Sequence, residues 1–253
     1  MRFTAPLLAI TILSSLSLRA DGLSELKAAL AAQAGQGAVR ARIEYSVRQL
    51  EGDDKDVVKM EGKAATVVED SPQGMRIFWD RATMAAAAGE LAARAADPDK
   101  KAPTRRVMDA LDPQTLSDYL NAVPNLQRKL EGAQLVEERE DTLEGRKLRL
   151  LVLKLQPKLT AQDKKYVKQA ESTARIWVDA DGLPVASESH FLVKGRAFLV
   201  ITFDSSEDSH LRFGRVAGRL VVLHHEKTSG GAGGGEKSSE TIKADLKVEP
   251  LGP

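Results

Sequence analysis

Ala174-Arg175-Ile176-Trp177-Val178-Asp179-Ala180-Asp181-Gly182-Leu183-Pro184-Val185-Ala186-Ser187-Glu188-Ser189 decides the fold. A β-branched and aromatic run meets a turn rich in Asp, Gly and Pro, and an alternating run follows, which predicts an antiparallel hairpin. Much of the sequence beyond it repeats this pattern, so the C-terminal half reads as one up-and-down sheet.

Downstream, strands are expected over 196–204, 210–216, 219–227 and 239–248, joined by short turns at Val193-Lys194-Gly195 and Ala217-Gly218. Residues 229–237, with the run from Gly230 to Gly235, read as a flexible hairpin tip. In the last strand Ile242, Ala244, Leu246 and Val248 oppose Thr241, Lys243, Asp245 and Lys247. Upstream, Leu148, Leu150 and Val152 face one way and Leu151, Leu153 and Leu155 the other. That pattern predicts a strand over 147–155 covered on both sides.

Toward the N-terminus, Leu23, Leu26, Ala29 and Leu30 have helical spacing that ends at Gly35-Gln36-Gly37. Val39, Ala41, Ile43, Tyr45 and Val47 alternate with Arg40, Arg42, Glu44, Ser46 and Arg48, which predicts a strand with one dry face. A second strand places Val58, Met60, Gly62, Ala64, Thr66 and Val68 on one face, and a third covers 75–79. The period then changes. Residues 81–96 are Ala-rich and helix-forming, and Asp112-Pro113 starts another helix by capping free amides and placing Pro in the first turn. Leu116, Tyr119, Leu120 and Val123 form its stripe, which Pro124 breaks. The expected class is α+β, mainly β: about eleven strands in one large curved antiparallel sheet, an unclosed half-barrel covered by a few inserted helices.

Residues 1–20 read as a secretory signal. Arg2 gives the positive start, and residues 6–18 form an uncharged, mostly apolar run, shorter than the roughly 20 residues a bilayer-spanning helix needs. Cleavage is expected after Ser17 or Ala20, and the alternative is a buried N-terminal helix. Loss of Arg2 and Arg19 takes Lys+Arg from 37 to 35 against 36 Asp+Glu, a net charge of about −1. That balance argues against nucleic acid or an anionic membrane as main partner. Aromatic content of 4% gives little for base stacking, and with no Cys there is neither a disulfide frame nor a lipid-acceptor cysteine. The mature chain has no further segment long and apolar enough to span a membrane. A periplasmic or secreted protein is expected.

Chemistry is sparse. Asp179-Ala180-Asp181-Gly182 starts like a calcium loop, yet Leu183 and Val185 occupy later ligand positions and no Glu closes the set, so turn chemistry explains it better. His224 and His225 are strand neighbours on opposite faces and cannot share a metal. His224 shares a face with Glu226, and His190 or His210 can meet that pair only across the sheet. There is no HExxH, no CxxC and no Gly-x-Ser-x-Gly elbow. The glycine run precedes a strand and so offers no helix N-terminus to a phosphate. No catalytic residue, metal ligand or cofactor is nominated, and the chain reads as non-enzymatic.

The apolar inner face is the candidate site. Ile43, Tyr45, Met60, Ile77 and Trp79 on strands, with Met108, Leu111, Leu116, Tyr119 and Leu120 on inserted helices, line the space between sheet and helices. The small residues Ala41, Gly62 and Ala64 leave room there. They either enclose a ligand or fill the space as a core.

This order of elements resembles the periplasmic lipoprotein-carrier superfamily, the LolA-like and LolB-like folds. It comprises an exported N-terminus, a short helix, two long strands and a third, inserted helices, and the hairpin Ile176-Trp177-Val178-Asp179-x-Asp181-Gly182-x-Pro184 leading into a meander. The resemblance covers about residues 23–248. It implies one LolA-like domain over 21–253, with helices over 81–130 as a lid on an apolar cavity. It also implies a carrier or binder of an acyl chain, lipid or lipidated protein. The alternative is an envelope-sensing or interaction module with a self-filled core and an envelope protein as partner. The inserted segment is longer and more Ala-rich than a minimal lid, and no functional residue of the family is matched position by position.

Overall fold

The computed structural model describes residues 21–251 apart from 34, 36, 54, 55 and 198–200. The leader expected at 1–20 lies outside the described residues.

Helix α1 (Gly22–Ala32) leads into β1 (Val39–Gly52), β2 (Val57–Ser71) and β3 (Gly74–Trp79). Four helices follow: α2 (Arg81–Ala96), α3 (Pro103–Ala110), α4 (Pro113–Leu120) and α5 (Val123–Lys129). Then come β4 (Gln134–Leu143), β5 (Arg146–Lys154), the single turn α6 (Asp163–Tyr166), β6 (Val167–Val178) and β7 (Pro184–Ala197). The chain ends in β8 (Ile201–Val216), β9 (Arg219–Gly233) and β10 (Glu236–Glu249). All ten strands join one antiparallel sheet in the order β3-β2-β1-β10-β9-β8-β7-β6-β5-β4, which does not close into a barrel. Two meanders, β1–β3 and β4–β10, therefore meet where the first strand pairs with the last, Ile43 opposite Leu246 and Tyr45 opposite Ala244.

The expected count of about eleven becomes ten because 196–204 and 210–216 are not separate strands. β7 runs through Gly195 to Ala197, and β8 is continuous from Ile201. The polar run Ser205-Ser206-Glu207-Asp208 stays in the sheet because it pairs on both sides, with β7 and with β9. Gly195 is no turn residue: a Cβ there would meet the Phe203 ring at 2.2 Å, so its absence admits the neighbouring strand. The glycine run is likewise strand as far as Gly233. Only Gly234 and Gly235, both at positive φ, make the tip between β9 and β10.

The main core lies on one face of the sheet under α1, α3, α4 and α5. Leu26, Leu30, Val107, Leu116, Leu120 and Leu126 meet Ile43, Val68, Leu151 and Leu153 there. β5 is covered on both faces, as its leucines predict, and Leu148 and Leu150 pack with Trp177 and Ala186 in a second small cluster on the opposite face. Asp112 caps α4 by accepting from the Thr115 amide at 2.7 Å. Pro124 starts α5 rather than only ending α4, because its ring fits a first helical turn.

α2 stands apart. Ala87 is its one buried residue, while Met84 and Leu91 are 50% and 47% exposed. Glu90 attaches it to α3, accepting from the Thr104 and Arg105 amides at 3.0 and 2.9 Å and so satisfying the free donors of that helix's first turn. Among the described residues no helix is long and apolar enough to cross a membrane.

Candidate functional site

Most of the ten apolar residues expected at the site are packed against one another. Ile43, Tyr45, Leu111, Leu116, Tyr119 and Leu120 are buried in the main core, and Ile77 and Trp79 are half-buried against it. Met60 and Met108 are half-buried. The small residues of β2 do not leave open room as expected. A Cβ on Gly62 would stand 2.4 Å from the Pro103 carbonyl oxygen and 3.0 Å from Val107 Cγ2, so the glycine lets α3 sit directly on the strand.

A pocket of about 150 Å³ remains between α4 and α5 on one side and β8 and β9 on the other. Ala122, Leu126, Leu211, Phe213 and Val222 supply its apolar walls. Thr115, Asp118, Asn125, Lys129, Ser209 and His225 supply its polar groups, and Tyr119 alone represents the ten expected residues. A broader depression beside α1 is lined mainly by charged and polar side chains, among them Asp21, Glu25, Glu138 and Arg149, whereas one of about 360 Å³ over β6, β7 and β8 has apolar walls that include Val167, Phe191, Val193 and Phe203.

A bulge builds this pocket. Between β8 and β9 the partner of Arg212 is His224 and that of Phe213 is Val222, so Leu223 is the extra residue. Across a bulge the alternation of faces breaks. Val222 and His225 consequently both face the pocket, while Leu223 lies over Gly214, which has no side chain to obstruct it.

Inside, the Tyr119 hydroxyl lies 2.9 Å from His225 Nδ1, and Ser209 Oγ lies 3.2 Å from His225 Nε2. A neutral imidazole offers one donor and one acceptor, so it completes both bonds without a charge. Burial pushes the imidazole down to about 4, and Lys129 and Lys227 act in the same direction. Burial raises the Tyr119 hydroxyl well above its ordinary range, with Tyr45 adding to it. Near neutral pH the site therefore holds a neutral hydroxyl–imidazole–phenol chain. Tyr45, in the core beside the Arg106–Glu240 ion pair, is pushed up to about 12, mainly by burial.

The remaining histidines face carboxylates: His190 Nδ1 meets Asp208 at 2.7 Å, His224 Nδ1 meets Asp245 at 2.7 Å, and His210 lies 3.7 Å from Glu188. Among the described residues no cluster of three or more His, Cys, Asp or Glu is placed to hold a metal ion. Asp179 and Asp181 serve the turn. Asp179 Oδ1 accepts from the Asp181 and Leu183 amides, Gly182 adopts φ 76°, and Arg215 clasps the two carboxylates at 2.9 and 2.6 Å.

Sequence reasoning misses Ser209, Leu211, Phe213, Val222 and most of α5 as pocket residues. Strand alternation does place His225 facing away from His224, which the structure bears out, but nothing in the pattern marks the bulge at Leu223. Val107, fully buried, carries one readable signal, since Val107, Ala110 and Leu111 have helical spacing.

No protein-family model matches the chain, and no curated protein matches it. Solved structures do share its outline. A DUF1329 family protein from Desulfovibrio piger aligns over 91% of this chain and 93% of its own at 11% identity and a TM-score of 0.28. A putative outer membrane lipoprotein-sorting protein domain from Vibrio parahaemolyticus aligns over 92% and 94% at 10% identity and a TM-score of 0.28. MucB, solved in complex with MucA, aligns over 91% and 100% at 10% identity and a TM-score of 0.25. Likeness at this level carries no functional argument, and function rests on the chain's own geometry.

Proposed function

We propose that this is an exported, non-enzymatic protein that binds a small amphipathic ligand in the pocket beneath α4 and α5. Export rests on the sequence of residues 1–20. One observation carries the binding reading: the expected concave space is filled by its own core, and a pocket of about 150 Å³ with mixed lining remains. An apolar cavity of about 150 Å³ accommodates a benzene-sized molecule. A full-length acyl chain does not fit that space, so this reading replaces a lipid with a ligand of about six non-hydrogen atoms in its buried part.

The hydroxyl–imidazole–phenol chain supports binding over catalysis. A serine nucleophile needs a base poised near the working pH and a group that stabilises the imidazolium. Here the base titrates far below neutral, and a neutral phenol stands where an acyl-transfer site has a carboxylate.

The test is methyl NMR of the mature protein titrated with cyclohexanol. Saturable shifts confined to Leu126, Leu211 and Val222, and lost in Leu211→Trp, are expected. Absence of shifts in the folded protein overturns the reading, as does a long-chain lipid found at near-stoichiometric amounts by native mass spectrometry of protein purified without detergent.

A further inference from the structure

We infer that the ligand of this pocket is a short carboxylate with about six apolar carbons or an equivalent ring, its charged end held by Lys129. The inference rests on the pocket reading above and adds the ligand's charge and size.

The charge comes from Lys129. Its side chain lines the pocket, is exposed, and makes no hydrogen bond or ion pair among the described residues. Protein packed around the amine end still desolvates it, which holds the ammonium below lysine's ordinary range, and Lys227 adds to the effect. The anions around it are already engaged. Asp118 accepts from Gln114 at 3.1 Å and Asn125 at 2.9 Å, with Arg128 at 3.8 Å. Glu207 pairs with Lys227 at 3.5 Å. One uncommitted ammonium therefore stands at the pocket, where a carboxylate gains a charge-assisted hydrogen bond without displacing an existing partner.

The size comes from the walls. Leu126, Phe213 and Val222 are 5%, 7% and 5% exposed, so they are fixed in the core and present a dry lining. The volume holds about six carbon atoms. Ser209, His225 and Tyr119 share two hydrogen bonds among three donors, so one hydroxyl proton at an end of the chain is left over, and the rest of the inner lining is the apolar wall of Leu126, Phe213 and Val222. A ligand with an apolar body and one anionic end matches both features. A ligand whose only charge is cationic meets Lys129 as a repulsion.

The experiment compares sodium hexanoate, 1-hexanol, hexylamine and sodium dodecanoate at pH 7.5 by methyl NMR titration of the mature protein. Hexanoate is expected to bind at least fivefold tighter than hexanol and hexylamine, and at least as tightly as dodecanoate. In Lys129→Met, which changes an exposed position, the ratio of hexanoate to hexanol affinity should fall to about one. Equal or tighter binding of hexanol or hexylamine in the unmodified protein overturns the carboxylate assignment and leaves the pocket reading intact. Much tighter dodecanoate binding overturns the size limit. A hexanoate preference that survives both Lys129→Met and Lys129→Gln overturns the role of Lys129. If none of the four ligands moves the pocket methyls, the pocket reading fails and the inference with it.

Discussion

The Tyr119 hydroxyl lies 2.9 Å from His225 Nδ1, a bond that ties α4 to β9 across 106 positions of sequence. The rings also meet edge to face, with centroids 5.8 Å apart and planes at 60°. The same tyrosine is 7% exposed and packs in the main core, so one side chain closes the helical cover and forms a wall of the pocket. Any movement of α4 that widens the pocket must break this bond and open the core beneath it.

Acid should loosen that tie. The folded imidazole titrates at about 4, below its ordinary 6.5. Between those values the unfolded chain binds more protons than the native one, so stability rises with pH across the window. The contribution is complete above about 6.5, is lost as pH falls through 6.5 toward 4, and changes no further below. A displacement of this size corresponds to at most about 3 kcal/mol, reduced by partial solvent screening. Urea denaturation of the wild type and His225→Gln at pH 7.5, 5.5 and 4 checks it. The stability gap between the two should shrink on acidification, and a pH-independent gap would show that the imidazole is not desolvated.

The same substitution should have opposite signs at two glycines. At Gly62 a new methyl meets the Pro103 carbonyl oxygen at 2.4 Å, and backbone there cannot yield without lifting α3 from β2. Gly62→Ala should cost about 1–3 kcal/mol. Gly89 lies inside α2, where an added methyl would meet nothing within 4 Å, and its φ is not positive. Gly89→Ala should stabilise α2 by up to about 1 kcal/mol through helix propensity alone. Denaturant midpoints measure both, and equal effects would refute the close approach at Gly62.

The difference between those glycines also shows what the sequence can reveal. The alternation through Val39, Ile43 and Tyr45, the double-faced leucines of β5 and the turn at Gly182 are legible because each depends on local period or turn chemistry. The ten-strand count is not, because whether Ser205 to Asp208 breaks a strand depends on partners on both sides. The pocket is least legible. Its lining comes from two helices and two strands, and its key histidine is aimed by a bulge whose signature is register rather than composition. Gly62 reads as spare room for the same reason: a missing side chain looks identical whether solvent, ligand or a helix backbone fills the space.

Glu90 is predicted to anchor an otherwise unsupported helix. Its carboxylate accepts from the Thr104 and Arg105 amides, and α2 buries only Ala87. Glu90→Ala should raise hydrogen exchange at Thr104, Arg105 and through α2, with a local loss of about 1–2 kcal/mol, the range for helix caps. Exchange in β5 and β6 should stay unchanged. Uniform acceleration across the sheet would instead mean that α2 is part of the global unfolding unit.

The second small core should be costly to open despite its size. Leu150 is fully buried between β4 and β6 on the face away from the helices, under Trp177, whose indole donates to Asp141 at 2.9 Å. Arg175 lies 5.0 Å over the Trp177 ring and screens that face from water. β4 is a sheet edge, so this cluster fixes the outermost strand in place, while Glu137, Arg139 and Asp141, opposite Val152, Leu150 and Leu148, put charge on the same face at that edge. Leu150→Ala should cost about 2–5 kcal/mol. In a Trp79→Phe background, where Trp177 is the sole indole, it should also red-shift the emission. A loss below about 1 kcal/mol with unshifted emission would show that β4 and β6 close over the vacancy, and that the edge is held by its backbone ladder rather than by this cluster.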